Sequence, residues 1–309
     1  MKFKKILVPV DLTVFSDRAL EYALRLGIHH QSHITLLYVF DNYIHQDPSI
    51  EKQIKEYREI LEKMFIRIEN KLVEEIGNFN PLAFNIQVLM GKHASDTILS
   101  FIDDHSFDLV VMETHARTGL NHVLLGSVTE KVVRHSSKPV LTVHHSLTDY
   151  NIRKILVPVD FSIYAKKSVE FAIPFARDLK AELVFLHVIP HEFNPEFHGT
   201  GMNVIFQMAP EIKSHTSEKL CEFTRVKGNK STHIVIEGKP YQSIVEYAAY
   251  SQCDLIIMAT RGLPGFKHLM LGSTTEKVVR FSECPVLTIG RKIVSQAENI
   301  EALEAALQH

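Results

Sequence analysis

Cysteine and tryptophan are scarce in this sequence, and neither sign of charge dominates it. The chain has three cysteines and no tryptophan, with 34 basic residues, 36 acidic residues and a formal net charge of -2. Cys221, Cys253 and Cys284 all lie in the second half and form no CxxC pair, so we expect neither a disulfide framework nor a cysteine metal site. The balanced charge argues against general binding to nucleic acid or to a membrane surface.

Long apolar runs are also absent. No stretch approaches the roughly 20 apolar residues that a membrane-spanning helix requires. Lys2, Lys4 and Lys5 precede an apolar run that ends at Asp11, and this run is too short for the core of a signal peptide. We therefore expect a cytoplasmic protein with no membrane partner.

Motifs of the common hydrolytic and phosphate-handling enzymes are missing as well. The sequence contains no GxSxG, no GxxxxGK[ST] and no SGGxDS-type loop, so no residue is assigned a catalytic role. Its 18 histidines, which include His115 and His122, do not show the cysteine and histidine spacing of zinc fingers. We interpret them as surface residues and assign no metal ligand, with a zinc site in the first half as the alternative.

The sequence contains a long internal repeat. Lys5–Asp11 and Lys154–Asp160 both read KILVPVD, and Gly126–Val143 agrees with Gly272–Ile289 at roughly 13 of 18 positions. Two pairs of matching segments in the same order indicate a duplicated domain of about 145 residues, the size of one globular domain. The predicted divisions are a first domain at 1–147, a second domain at 148–292 and a C-terminal helical tail at 293–309.

Each half alternates apolar strands with amphipathic helices. Ile6–Val10 is an unbroken apolar run, typical of a strand buried on both faces, and Pro9 is expected to mark its end or an irregularity. Ser16 is a candidate N-cap for the next helix, and helices are predicted over Val169–Leu179 and Glu211–Lys227 in the second half. This alternation predicts α/β architecture: two doubly wound domains in tandem, each with a five-stranded parallel sheet.

Three further segments carry expectations about organisation. The link Ser146–Arg153 has no flexible Gly/Ser run, so the two halves are expected to pack on each other. His191–Thr216 is expected to be a surface loop, with a lid over a site as the alternative. Ala297–Leu307 has apolar residues at helical spacing, which predicts a docked terminal helix or a partner-binding segment.

The segment after the fourth strand of the second half has the features of an anion site. Ala259-Thr-Arg-Gly262 is followed, after nine intervening residues, by Gly272-Ser273, where a helix is predicted to begin. Gly262 allows a positive φ and a close approach of the backbone to a ligand. The first amides of a helix have no intrahelical partner, so together with Ser and Thr hydroxyls they can bind an anion. Arg261 or Lys267 could add a cation for phosphate oxygens.

This layout resembles the universal stress protein family, whose nucleotide-binding members show G-x2-G-x9-G-[S/T] in this place. The resemblance covers both halves, from KILVPVD through GSTTEKVVR to the final PVLT, and it implies a Rossmann-like fold. For the ATP-binding members it implies a nucleotide across the strand ends. The Asp after strand one and the Val in strand two would flank adenine and ribose. The glycine loop and the GS helix start would hold the phosphates with Mg2+ or Mn2+.

The resemblance implies specific nucleotide contacts, carried over position by position. In the second half these are Pro158, Val159, Asp160, Val188, Met258, Ala259, Arg261, Gly262, Gly272, Ser273, Thr274 and Thr275. Ala259 occupies the first glycine of the pattern, which is a small intrusion. In the first half the implied counterparts are Asp11, Val39, Gly126, Ser127 and Thr129.

The first half departs further from the glycine pattern. Glu113 stands at the first glycine and Ala116 at the second. A carboxylate about 5 Å from a phosphate charge costs roughly 3 kcal/mol at an effective dielectric near 20, whereas a helix terminus contributes only ~0.3–1 kcal/mol, or ~2 if partly buried. His115, Arg117 or a bound cation could offset part of this cost. We therefore predict ATP in the second half and a degenerate first half.

Two alternatives stay open. A GS pair at a helix start is often an N-cap alone, and several members of the family bind no nucleotide. The chain would then be an interaction protein whose edge strands, Val140–Val143 and Val286–Ile289, pair between domains, with a homodimer as a candidate assembly. The predicted function is a stress-response protein that binds or signals according to its adenine nucleotide, and slow ATP hydrolysis is the second alternative.

Overall fold

The chain divides into two compact units between residues 150 and 151, called here the first half and the second half. The computed structural model describes residues 2–13, 16–40, 49–77, 79–114, 125–143, 151–190, 209–226, 230–260 and 271–290. In this part of the chain, no helix has both the length and the apolar content needed to cross a membrane.

Strands and helices alternate without exception along the described residues of the first half. The elements are β1 (Lys5–Val10), α1 (Ser16–His30), β2 (His33–Phe40), α2 (Ile50–Ile76), β3 (Phe84–Met90), α3 (Ala94–Asp104), β4 (Leu109–Glu113), α4 (Ser127–His135) and β5 (Val140–Val143). The strand order is β3-β2-β1-β4-β5, and every pair of neighbours is parallel.

The second half repeats this architecture. The elements are β6 (Lys154–Pro158), α5 (Ile163–Leu179), β7 (Glu182–Pro190), α6 (Pro210–Thr224), β8 (Ser231–Gly238), α7 (Pro240–Tyr250), β9 (Leu255–Ala259), α8 (Ser273–Phe281) and β10 (Val286–Ile289). The order is β8-β7-β6-β9-β10, again all parallel. The predicted α/β fold with two five-stranded parallel sheets is confirmed.

The central strands are apolar on both faces because helices cover the sheet. Ile6, Leu7 and Val8 of β1 are fully buried, and so are Ile155 and Leu156 of β6. In the first half α1 packs on β1 and β4, and in the second half α5 packs on β6 and β9. Unbroken runs of aliphatic residues are therefore needed here, where a half-exposed strand would alternate.

The central strands separate at their carboxyl ends, and a proline lies at each point of separation. β1 pairs with β2 from Lys5↔His33 to Val10↔Tyr38, whereas its register with β4 covers Ile6↔Leu109 and Leu7↔Val110. Asp108 donates its amide to the carbonyl of Lys5 (2.9 Å), so alternate residues along β1 face β4, and Pro9 is one of them. A proline has no N–H to extend that ladder.

Pro158 has the same position in β6. The amide of the next residue, Val159, donates to the carbonyl of Leu186 on β7 (2.8 Å), so the nitrogen of Pro158 faces β9. The β6–β9 register covers Ile155↔Leu255 and Leu156↔Ile256. Each half therefore opens between its first and fourth strands, where the winding direction of the sheet reverses and where ligands bind in such sheets.

The structure corrects several predicted boundaries. Pro9 lies inside β1, in register with Leu37, so it does not end the strand; it marks the expected irregularity, where β1 no longer pairs with β4. Ser16 is the first residue of α1 and not its N-cap, because its hydroxyl bonds to Asp11. The helix predicted to start at Val169 begins at Ile163, since the Ser162 hydroxyl accepts the amide of Ala165 at 3.1 Å.

The predicted helix over Glu211–Lys227 is shorter than expected. It runs from Pro210 to Thr224, and Arg225 follows in the left-handed region with φ 45, which ends the helical geometry. Several other predictions fall outside the described residues. These are residues 191–208 of the loop predicted over His191–Thr216, the residues Arg261, Gly262, Lys267, His115, Ala116, Arg117 and His122, and the tail from 293 onwards. The last part of that predicted loop is helical instead, because α6 begins at Pro210.

Candidate functional site

The described candidate residues of the second half lie at the carboxyl end of its sheet. Pro158 ends β6, and Val159 and Asp160 follow it directly. Met258 and Ala259 end the neighbouring strand β9. Val188 is a buried residue near the end of β7, on the other side of β6. The sequence therefore placed these groups correctly on three adjacent strands.

The start of α8 is fixed to the end of β9 by two hydrogen bonds. The amide of Gly272 donates to the carbonyl of Thr260 at 2.8 Å, and the hydroxyl of Thr275 donates to the carbonyl of Ala259 at 2.8 Å. The first helical hydrogen bond runs from the amide of Glu276 to the carbonyl of Gly272 (2.9 Å). Gly272, Ser273, Thr274 and Thr275 are thus held beside the strand ends.

Among the described residues, the N–H groups at this helix start are available as hydrogen-bond donors to an anion. No side chain caps α8, and within the described residues the amides of Ser273, Thr274 and Thr275 donate to no protein acceptor. Gly272 has φ -59, an angle open to any residue, so its backbone conformation alone does not require glycine. Three aligned donors at the positive end of a helix form a site for a phosphate or a similar anion.

The threonine hydroxyls of this segment have a structural task. Thr275 and its counterpart Thr129 are both buried, and Thr129 donates to the carbonyl of Glu113 at 2.7 Å, as Thr275 does to Ala259. The expectation that these hydroxyls face an anion does not fit this geometry, because each is already donated to a strand carbonyl. Their amides, and the exposed Ser127 and Ser273, remain available.

A tight turn follows the first strand of each half and is built by an aspartate. Asp160 Oδ1 accepts from the amide (3.0 Å) and the hydroxyl (2.6 Å) of Ser162. Asp11 Oδ1 accepts in the same way from Thr13, at 3.0 and 2.6 Å. The residue between them is left-handed in both cases, with φ 60 at position 12 and φ 63 at position 161. A non-glycine residue in this region is strained, so the aspartate bonds hold the turn.

The hydrogen bonds of the turn control the ionisation of Asp11. Partial burial raises the pKa of this carboxyl, but the hydrogen bonds that it accepts from Thr13 and Ser16 more than offset that effect, so the net shift is downward. Asp11 is therefore charged at neutral pH. The carboxylate stands at the open end of β1, where the resemblance places a nucleoside contact.

Glu113 corrects the electrostatic picture of the first half. Its side chain is only 7% exposed, and Oε1 lies 3.7 Å from Nη1 of Arg18 on α1. Burial raises the pKa of Glu113 to about 8; Arg18 acts against this rise, and the negative charges of Asp11 and Asp17 add to it. A carboxyl group with this pKa is mostly protonated at neutral pH, so it does not carry the full charge on which the expected repulsion of phosphate depends.

No sequence pattern predicted a role for His187 or for the aromatic residues around it. His187 follows Leu186, which is in register with Pro158 in the β6–β7 ladder, and it donates its Nδ1–H to the Val159 carbonyl at 2.7 Å. Its ring lies 4.5 Å from that of Phe161, which in turn contacts Phe223 at 5.5 Å. Burial is the main cause that lowers the pKa of His187. The neutral imidazole thus supports the turn that carries Asp160.

A family model matches most of the chain. The model of the universal stress protein family matches residues 2–144 and again residues 151–290. This chain belongs to the universal stress protein family. The two matches agree with the tandem repeat in the sequence and with the two sheets of the structure.

The relatives include proteins with one domain and with two. A universal stress protein from Mycolicibacterium smegmatis is 25% identical over 300 residues, which cover 92% of this chain and 96% of that protein. MJ0577 from Methanocaldococcus jannaschii, also a universal stress protein, is 32% identical over 159 residues, covering 45% of this chain and 96% of the relative. The short relatives thus correspond to one half of this chain.

The fold also matches solved structures. A universal stress protein from Archaeoglobus fulgidus aligns with a TM-score of 0.64 at 21% identity, covering 94% of this chain and all of that protein. At this level of identity the likeness bears on the fold alone, and it agrees with the two α/β sheets described above.

Proposed function

We propose that the second half of this universal stress protein binds an adenine nucleotide, ATP in the first place. The observation that supports this most directly is the start of α8. Three amides there have no described acceptor, and Thr275 and Gly272 hold them beside the open ends of β6 and β9. An anionic group is the ligand that such an arrangement accommodates best.

The nucleoside would lie between the first and fourth strands of the second half. Asp160, Val159 and Pro158 border this space on one side, Met258 and Ala259 on the other, and Val188 lies beyond β6. The family pattern adds Arg261 and Gly262 for the phosphates, and both lie outside the described residues. We expect the phosphates to contact the amides of Ser273, Thr274 and Thr275.

The divalent cation would depend on the nucleotide more than on the protein. The described groups at the start of α8 are three amide donors, which suit phosphate oxygens, and the hydroxyls of Ser273 and Thr274, which are too few to hold a cation by themselves. Mg2+ keeps much of its water shell and binds substrate phosphates readily. We therefore expect Mg2+ or Mn2+ to be held by the phosphate oxygens and water, and to reduce the charge that the helix start must accommodate.

The first half would be the weaker site or no site at all. Asp11, Val39, Gly126, Ser127 and Thr129 repeat the positions of the second half, but Glu113 replaces the small residue at the end of the fourth strand. Binding of nucleotide to the second half would then control how the protein binds its partners in a stress response. We assign no catalytic residue, and slow hydrolysis stays an open alternative.

Calorimetric titration with Mg-ATP tests the proposal. Gly262→Glu places a carboxylate in the glycine loop of the second half, and Ala116→Glu makes the matched change in the first half. We expect the parent chain and Ala116→Glu to bind one ATP per chain, and Gly262→Glu to bind none. If Ala116→Glu abolished binding and Gly262→Glu left it intact, the assignment to the second half would be wrong.

The nucleotide content of the purified protein separates this proposal from an interaction module without a ligand. Absorbance and mass spectrometry of the denatured protein would reveal a bound adenine nucleotide. A chain that carries none, and that also fails to bind ATP in the titration, would be a nucleotide-free association module instead.

A further inference from the structure

Glu113 and Ala259 are structural counterparts in the two halves. Each is the last residue of the fourth strand of its sheet, and each accepts at its carbonyl a hydrogen bond from the threonine three residues after a Gly-Ser helix start. The backbone around the two positions is thus built in the same way. The halves differ here in one side chain, a methyl group in the second half and a propionic acid group in the first.

The Glu113 side chain turns inward to the helix that borders the cleft. It is 7% exposed and lies 3.7 Å from Arg18 Nη1 on the first turn of α1. β1 is the neighbour of β4, with Leu7 in register with Val110, so the end of β1 lies beside the end of β4 that carries Glu113. The carboxyl group therefore lies between α1 and the carboxyl ends of β1 and β4.

The described residues of the second half show a different arrangement at this place. Counted from the aspartate after the first strand, the counterpart of Arg18 is Lys167, and its Nζ pairs with Glu170 on the same helix at 3.1 Å. Ala259 is instead buried in a small apolar cluster with Ile163 and Tyr164. In the first half, Arg18 and Glu113 connect α1 to the fourth strand. In the second half, small and apolar side chains of α5 and β9 pack at the corresponding place.

From this comparison we infer that Glu113 excludes nucleotide from the first half by its bulk, with Arg18 holding it in the space that the nucleoside would need. The inference rests on the proposed function, because that space is identified from the second half. It differs from the repulsion argument in its physical cause. Glutamine has nearly the volume of glutamic acid and carries no charge, so it should exclude the nucleotide equally well, whereas alanine should admit it.

The burial of Glu113 agrees with a steric role. A carboxyl group whose pKa is raised to about 8 is mostly neutral at pH 7. The side chain then has little net charge to repel a phosphate, but its three carbons and two oxygens still occupy their full volume.

The decisive experiment compares Glu113→Ala with Glu113→Gln in one background. The background carries Gly262→Glu, which silences the second half, and Ala116→Gly, which gives the first half the second glycine of the family pattern. Mg-ATP and adenosine are titrated into each chain by calorimetry at pH 7, after circular dichroism has shown that each variant is folded. We expect Glu113→Ala to bind ATP at least ~10-fold more tightly than Glu113→Gln, and Glu113→Gln to match the background.

Each outcome decides the inference. Equal tightening by alanine and glutamine would mean that charge excludes the nucleotide, and no tightening by alanine would mean that Glu113 does not block the cleft; either result overturns the steric account. The parent chain with its intact second half reports on the proposed function separately. If that chain binds no ATP while Glu113→Ala gains it, the proposed site in the second half fails and the inference about Glu113 stands.

Discussion

Replacing Glu113 with glutamine should stabilise the first half relative to the wild type. This gain in stability should be larger at alkaline pH than at acidic pH. In the folded protein the pKa of this carboxyl is raised from 4.5 to about 8. As the pH rises above 4.5, the unfolded chain releases the proton while the folded chain retains it. The unfolded state is therefore favoured increasingly until the pH passes about 8, where both states are ionised. Glutamine does not titrate and removes this loss.

The size of the effect follows from the shift. One pKa unit corresponds to ~1.4 kcal/mol. A shift from 4.5 to about 8 therefore limits the stability that ionisation of Glu113 can remove to ~5 kcal/mol of unfolding free energy. Arg18 lies 3.7 Å away and is itself about a third exposed, so screening by solvent reduces this figure. We expect about half of the unscreened effect at each pH. The unfolding free energy of Glu113→Gln should then exceed that of the wild type by ~0.4 kcal/mol at pH 5 and by ~2 kcal/mol at pH 8.

Urea unfolding followed by circular dichroism measures this difference at both pH values. Hydrogen exchange read over residues 2–143 assigns the change to the first half. Glu59→Gln is the matched control, because Glu59 is exposed on α2 of the same half, and it should change the unfolding free energy at pH 8 less than Glu113→Gln does. A gain that is equal at pH 5 and pH 8, or a loss of stability at pH 8, would refute the reasoning about Glu113.

Two further predictions concern the second half. Thr275→Val removes the hydroxyl that donates to the Ala259 carbonyl at 2.8 Å; it should lower the unfolding free energy by ~1–2 kcal/mol and weaken ATP binding, while Thr275→Ser retains both, and unchanged ATP affinity in the valine variant would mean that this anchor does not shape the site. Burial raises the pKa of the Cys253 thiol to about 12 and that of Cys284 to about 11, whereas Cys221 is exposed. A thiol reagent at pH 8 should therefore label one cysteine rapidly in the native protein and all three in denaturant, and rapid native labelling of two or more would contradict the buried positions.

The parallel α/β architecture of each half could be predicted from the sequence because it follows from local patterns. The unbroken apolar run at Ile6–Val10 is compatible with a strand covered on both faces, and helices between successive strands leave only parallel pairing. The repeat then extends the same reasoning to Ile155–Val159. Helix boundaries were less accurate. The helix that begins after the cap at Ser162 extends earlier than predicted, because the polar run Lys166–Ser168 interrupts the apolar pattern of its first turns in the sequence.

The candidate site could be predicted as a set of positions but not as a set of contacts. The motif placed Asp160, Ala259 and Gly272 at the carboxyl ends of the strands, and the structure confirms that location. It could not show that the Thr275 hydroxyl is used by the Ala259 carbonyl, since a hydroxyl at a helix start can face either a ligand or the protein. His187 carried no local signal, because its partner Val159 lies 28 residues away across a strand pair.

The sequence by itself determined the duplication, the parallel α/β architecture and the end of the sheet at which the candidate site residues gather, because each of these depends on the order and spacing of residues along the chain. Only the tertiary structure decided that Glu113 is buried against Arg18 and mostly neutral, and that the two halves differ at this position more in volume than in charge. The physical reason is that the protonation state and direction of a side chain depend on the neighbours that folding brings to it. For Glu113 these are α1 and the end of β1, which lie about a hundred residues earlier in the sequence.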